Sequence, residues 1–241
     1  MRSYGDGCSS AHALDLVGER WALLIVRDLL FGPKRFSDLQ AGLPHSSPNV
    51  LTQRLRELEE AGIVRRRRLP PPASANVYEL TEWGADLEPI LMTLQRWGAG
   101  SPTFSPDVPV GCDAAMLALK NMFDPTAAAG LRVTAEIRFT TGAFRLTVDD
   151  GTVDIARGSA TDPDLVLETD PTTLEELAFL GLRVGDAERA GKLAVHGSRR
   201  QLTNLLRVFN PSTNQGGPTA QNRRRSARTR AQVEHVAQRA V

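Results

Sequence analysis

Residues 45–68 read HSSPNVLTQRLRELEEAGIVRRRR, and the fold of the first hundred or so residues turns on how this stretch is parsed. Leu51, Leu55 and Leu58 recur at i, i+4 and i+7, the spacing that lines three side chains along one face of an α-helix. Ser47 supplies an N-cap oxygen, Pro48 suits the first helical position because its missing N–H is not needed there, and Gly62 suits the residue past the end. The sequence thus predicts a helix over residues 48–61. With successive residues turned by ~100°, Asn49, Gln53, Arg56, Glu57 and Glu60 fall opposite the leucines, with Thr52 on a flank. The first half of that outer face is polar and uncharged or cationic; the second half is acidic.

Working outward, residues 12–31 place Leu14, Leu16, Val17, Trp21, Leu24, Ile25 and Leu29 at mostly helical spacing, with Gly18 as a break or close contact. Gly32-Pro33 turns the chain, FSDLQAGL (36–43) is a short helix, and the leucine-striped helix follows. IVRRRRL (63–69) reads as a strand, PPPASA as a turn and NVYELT (76–81) as a second strand. Thr81, Trp83, Leu87, Ile90, Leu91, Leu94 and Trp97 then mark a long amphipathic helix. Helix, short helix, turn, helix and basic hairpin, in that order, are the parts of a winged helix-turn-helix, a mainly α architecture.

Such a unit meets DNA with cations for phosphates and short polar side chains for base edges. Asn49 and Gln53 suit adenine, Thr52 suits a thymine methyl, and Arg56 reaches a base or a phosphate. Ser46 and Ser47 add hydroxyls at a helix N-terminus that itself favours a phosphate. Arg65, Arg66, Arg67 and Arg68 lie where a wing runs beside the backbone. Successive strand residues point to opposite faces, so only about half of the four meet one phosphate line, and the register decides which pair. Lys34 and Arg35 are further phosphate candidates.

Several long blocks here, GERWALLIVRDL, GPKRFSDL, SPNVLTQRLRELEEAG and YELTEWG, resemble the HxlR-type winged-helix transcription regulators across residues 8–98. The resemblance implies a homodimer on a palindromic, two-fold-related operator of double-stranded DNA, with the N-terminal helix and the 82–97 helix forming much of the interface. It also implies that Ser47, Asn49, Thr52, Gln53 and Arg54 or Arg56 read the site. The PPPASA turn departs from the shorter basic or aromatic turn of many relatives, which argues against deep minor-groove insertion by the wing tip. Cys8 stands where such proteins commonly carry a cysteine, some of them sensing oxidants or electrophiles. No Lys, Arg or His lies within three residues of it, so an inert, structural Cys8 is expected.

Residues 98–114 are rich in Gly, Pro and Ser and read as a linker, after which the pattern changes. Strand alternation runs through Val133, Ala135, Ile137 and Phe139, with Thr134, Glu136, Arg138 and Thr140 facing the other way. AFRLTVDD (143–150), a turn at Asp150-Gly151 into TVDIARGS, LVLETD (165–170), a capped helix from Pro171, KLAVHGS (192–198) and RRQLTNLLRVF (199–209) complete an α+β domain. DPDLVLETDPTTLEEL and GKLAVHGSRRQLTNLLRVF resemble sterol-carrier-protein-type lipid-binding domains. That resemblance implies a sheet covered by helices around an apolar tunnel for a fatty-acyl or sterol-like ligand. Phe139, Phe144, Leu174, Leu177, Phe179, Leu180 and Leu205 are its candidate lining, although each such residue is more often ordinary core.

The domain plan is therefore 1–98 for DNA binding and dimerisation, 99–112 as linker, 113–210 as the sterol-carrier-like α+β domain and 211–241 as a disordered basic tail. The tail holds six Lys/Arg against one Asp/Glu, whereas residues 1–100 hold twelve of each. Two distant cysteines set up no disulfide framework, and the N-terminus lacks a signal-peptide pattern, so a cytoplasmic protein is expected. The four histidines and two cysteines make no metal-ligand spacing, His196 has no obvious catalytic partner, and no glycine-rich phosphate loop or G-x-S-x-G occurs. The expectation is a non-enzymatic, cofactor-free, dimeric repressor whose second domain binds an apolar effector. Two alternatives are a regulator whose second domain is only structural, and a lipid carrier whose winged helix serves protein contacts.

Overall fold

The computed structural model describes residues 3–71, 74–105 and 108–209, so the tail from 211 lies outside the described residues. The chain divides into two compact units, Met1–Met92 and Thr93–Val241.

The first unit begins with α1 (Ser9–Val17) and α2 (Ala22–Leu29), then α3 (Phe36–Gly42) and α4 (Pro48–Glu60). A Cβ on Gly18 would stand 2.5 Å from the Leu14 carbonyl oxygen, so glycine lets the chain turn tightly off α1. Trp21, at φ 79°, completes the break before α2. In α4 the Ser47 hydroxyl accepts from the Val50 N–H at 3.3 Å and Gly62 adopts φ +72°, as the cap pattern predicts. Leu51, Leu55 and Leu58 are buried with Ile25, Leu29, Leu39 and Ile63 to form the core. This stripe is what holds α4 with its polar face outward.

β1 (Val64–Arg68) and β2 (Asn76–Leu80) pair antiparallel, with Arg65 opposite Glu79, Arg66 opposite Tyr78, Arg67 opposite Val77 and Arg68 opposite Asn76. Lys34 extends the ribbon, since its N–H donates to the Tyr78 carbonyl at 3.0 Å and its carbonyl accepts from the Tyr78 N–H at 2.8 Å. Thr81 caps the next helix through Gly84 N–H and also donates its hydroxyl hydrogen to the Gly62 carbonyl at 2.7 Å. The single helix expected over 82–97 is two, α5 (Glu82–Ala85) and α6 (Glu88–Ala99). Pro89 has no N–H for the carbonyl of Ala85 and restricts Glu88, so the helix breaks and restarts.

The second unit contains α7 (Cys112–Met122), β3 (Arg132–Phe139), β4 (Gly142–Asp149), β5 (Thr152–Arg157), β6 (Leu165–Thr169), α8 (Pro171–Phe179), α9 (Val184–Arg189), β7 (Leu193–Gly197) and α10 (Arg199–Arg207). Its sheet has the order β5-β4-β3-β6-β7, antiparallel except for the central β3–β6 pair. Asp150 and Gly151, both at positive φ, make the two-residue hairpin turn that Asp-Gly predicts. One sheet face is buried through Val133, Ala135, Ile137, Phe139, Phe144, Leu146, Val148, Ile155, Leu165 and Leu167. Every expected strand is present; α7 and α9 were not expected. On the opposite face Glu136 is buried, its two oxygens bonded by Arg138 Nε at 2.6 Å and by the Ala160 N–H at 2.8 Å. The Arg138 hydrogen bond, working against burial, holds the Glu136 carboxyl below its ordinary value.

A second buried carboxylate organises the first unit. Asp28 is 1% exposed; Arg27 binds its Oδ1 through Nε and Nη2 at 2.9 and 2.7 Å, and Lys34 Nζ lies 3.3 Å from its Oδ2. Removing the negative charge takes away the buried carboxylate that the Arg27 guanidinium and the Lys34 ammonium share, and breaking such a buried pair costs about 3–5 kcal/mol. Asp28→Asn is therefore expected to destabilise the first unit by that order, read as a lowered urea midpoint of Trp fluorescence. A midpoint equal to wild type would show that the cluster carries no stability.

Candidate nucleic-acid interface

The polar face of α4 is exposed at Asn49, Thr52, Gln53 and Arg56, so the leucine stripe places these four together as the sequence predicts. Most are already engaged along the helix. Thr52 Oγ1 donates to the Pro48 carbonyl at 2.8 Å, Gln53 Nε2 to Glu57 Oε1 at 2.8 Å, and Arg56 Nε to Glu60 Oε1 at 2.8 Å. The Glu60 hydrogen bond raises the Arg56 pKa, so this guanidinium stays charged throughout. Ser47 remains exposed at the N-terminus, its oxygen turned to the Val50 N–H.

Three expected DNA contacts face inward. Ser46 is 4% exposed and donates its hydroxyl to the Leu43 carbonyl at 2.8 Å, while its own carbonyl accepts from Gln40 Nε2 at 2.7 Å. It fixes the turn between α3 and α4 instead of offering a phosphate donor. Lys34 is 5% exposed, and its ammonium is directed at Asp28, so it is a structural cation. Arg54 is 13% exposed, ion-paired with Glu57 and 3.6 Å from Glu19, and its Nε is buried without a partner. Of the alternatives Arg54 and Arg56, only Arg56 is on the outer face. Arg35 is exposed at the start of α3.

All four wing arginines are exposed, and the register separates them into two faces. Arg65 Nε donates to Glu79 Oε1 at 2.8 Å and Arg67 Nε to Glu79 Oε2 at 2.9 Å. Burial raises the Glu79 pKa, but the hydrogen bonds from Arg67 and Arg65 outweigh it and hold the carboxyl below its ordinary value. On the other face, the Arg66 guanidinium lies 5.9 Å from the Tyr78 ring centre, within the range of a cation–π contact. Sequence reading missed Glu79 because its position opposite Arg65 depends on the loop length of the hairpin.

Apolar side chains near this unit are exposed as well. α1 contains no buried residue and exposes Leu14; Trp83 on α5 and Ile90, Leu94 and Trp97 on α6 are also exposed. Cys8, expected to be inert, is exposed at the N-terminus of α1. The Ser10 N–H first, then the Ala11 N–H and the Ser10 side chain, lower its thiol pKa. Local sequence charge gave no sign of this because the amides of the helix end, not neighbouring cations, stabilise the thiolate.

In the second unit the expected tunnel residues do not share one environment. Phe139, Phe144, Leu174, Leu177 and Leu205 are buried, Phe139 and Phe144 in an edge-to-face pair 5.9 Å apart. Phe179 is half-buried, and Leu180, just past α8, is 52% exposed, so Leu180 lies at the surface and lines no interior.

Residues 16–103 match the sequence profile of the HxlR-like helix-turn-helix family. An uncharacterised HTH-type transcriptional regulator of Bacillus subtilis, YvaP, is 44% identical over 85 residues, covering 35% of this chain and 79% of that protein. The HTH-type transcriptional regulator YodB of the same organism is 40% identical over 85 residues, 35% of this chain and 76% of that one. The structure of reduced YodB matches with a TM-score of 0.37 and 35% identity, covering 41% of this chain and 97% of that chain. By these relatives the chain belongs to the HxlR-like helix-turn-helix family of DNA-binding transcriptional regulators.

Proposed function

We propose that this regulator binds a palindromic operator as a homodimer and acts as a repressor. Asn49, Thr52, Gln53 and Arg56 read bases, and Ser47, Arg35 and the wing hold phosphate. The observation that carries this reading is the exposed polar face of α4, whose capped N-terminus and leucine stripe leave Asn49 and Gln53 on one surface. The exposed Leu14 of α1 and Ile90, Leu94 and Trp97 of α6 support dimerisation, because apolar side chains so placed gain by burial against a second copy. A dimer seated across a promoter occludes the transcription machinery, which is the physical basis of repression.

The reading further assigns DNA binding and dimerisation to residues 1–98 and effector binding to 113–210. A sheet with one apolar face under helices is a framework in which an apolar molecule is bound between layers, which supports a lipid-like or sterol-like effector. Such a molecule alters DNA affinity only if it favours one of two dimer geometries.

Among the described residues no helix is long and apolar enough to cross a membrane.

Two outcomes test these assignments, and a third tests the state of the Cys8 thiol. On DNA from upstream of its own gene, Gln53→Ala is expected to lose discrimination between operator and scrambled duplex by about 1–3 kcal/mol, while Arg66→Ala weakens both duplexes alike. Unchanged discrimination by Gln53→Ala would take α4 out of the groove. Organic extraction of the purified protein is expected to release an apolar molecule whose re-addition shifts operator affinity several-fold; a clean extract, or no shift, removes the effector. For Cys8, iodoacetamide alkylation of a Cys112→Ser variant is expected to show a pH midpoint below that of the urea-unfolded chain. Equal midpoints would mean that the α1 amides do not stabilise the thiolate.

A further inference from the structure

The four wing arginines are not equivalent in charge. Glu79 lies directly across from Arg65, and Arg67, two residues on, emerges from the same side of the strand. Each guanidinium takes a different oxygen of the one carboxylate, Arg65 at 2.8 Å and Arg67 at 2.9 Å. The Glu79 side chain is 13% exposed between two arginines that are themselves largely in solvent. On the other side Arg66 faces Tyr78 and Arg68 faces Asn76, both neutral. One face of the ribbon therefore carries two cations against one anion, and the other carries two cations against none among the described residues.

We propose that Glu79 is a specificity-determining residue that masks Arg65 and Arg67 from DNA phosphate, leaving Arg66 and Arg68 to carry the wing's backbone contact. The proposal rests on the DNA-binding reading above. Two guanidiniums that share one carboxylate offer a net of one charge in place of two, so they release about half the counter-ion that an unpaired pair would, and an arriving phosphate is repelled by Glu79 itself. In a register-fixed operator complex, only one face of the ribbon meets the backbone, so the masked pair is not needed there. In loose encounters with other DNA the orientation is not fixed, and any unmasked cation adds affinity. Masking therefore lowers non-operator binding more than operator binding, and the ratio of the two is what sets occupancy in a genome. On α4 the exposed Arg56 is paired in the same way, with Glu60.

The test measures salt dependence with the full chain on two duplexes, one of random sequence and one selected from a random library by the wild-type protein. Glu79→Gln keeps the shape and removes the charge. It is expected to steepen the slope of log K against log salt on the random duplex by up to about 0.9, one phosphate's worth, with a smaller change on the selected duplex. Arg65→Gln/Arg67→Gln is expected to flatten the slopes by about half as much as Arg66→Gln/Arg68→Gln, which flattens both by up to about 1.8. These double variants keep the question decidable should Glu79→Gln disturb the hairpin. The proposal is overturned if Glu79→Gln leaves the slopes unchanged or flattens them, or if the two double variants lose slope equally. A wild-type chain that binds neither duplex at low salt fails the DNA-binding reading and this inference with it; wild-type binding with equal double variants fails this inference alone.

Discussion

The Asp28 carboxylate is taken from water at the end of α2 and held from two directions, by Arg27 on its own helix and by Lys34 beyond the turn. A buried carboxylate is tolerated only when its charge is compensated, so the Gly32-Pro33 turn must bring Lys34 back onto Asp28. Lys34 is in turn bonded through its backbone to Tyr78 on both sides, and Tyr78 lies on the wing strand β2. The end of α3 completes the site, because a Cβ on Gly42 would stand 2.4 Å from Asp28 Oδ2. One ion cluster thus ties α2, α3 and the wing together, and the placement of the wing arginines follows from it. The basic residue at position 34 acts through geometry, by fixing the strand that opposes β1.

The sequence was most legible where independent local signals agreed. At α4 the cap residue, the proline, the leucine period and the terminal glycine all specify one helix, and the structure has it. Arginine alternation in β1 was equally clear, but which arginines share a face with an acid depended on register. At 82–97 two signals conflicted: the apolar period argued for one helix and Pro89 for a break, and the missing hydrogen bond prevailed. Lys34 was unreadable in isolation, since a buried lysine is recognised only through a partner six residues earlier that is itself buried. In the second unit, strand alternation located all five strands, whereas α7 was absorbed into a Gly- and Pro-rich linker that runs up to its first turn. Glu136 shows the limit of alternation as a guide to exposure: it points to the polar face, yet the segment contributing the Ala160 N–H covers it.

Counting cations overstates the positive charge this unit offers to DNA. Residues 1–100 hold as many acids as bases, and the pairs between them are local. Arg65 and Arg67 share Glu79, Arg56 is bonded to Glu60, and Arg54 is bonded to Glu57. A surface of this kind has short-range complementarity without a strong long-range field.

Arg54 sharpens what a contact means on α4. Its guanidinium lies between Glu57 on the same helix and Glu19 in the break between α1 and α2, with its Nε sealed from solvent. The residues one and two positions away, Gln53 and Arg56, face outward. A single helical turn therefore alternates between a side chain that ties the helix to the break between α1 and α2 and side chains that face solvent. Replacing Arg54 removes the ion pair that ties the helix to Glu19, and any movement of the helix carries every outward residue with it. Replacing Gln53 or Arg56 leaves the leucine stripe, the Ser47 cap and the Arg54 tether in place. Loss of binding from substitutions on α4 thus divides by mechanism according to whether the leucines and Arg54 or the exposed polar face are touched.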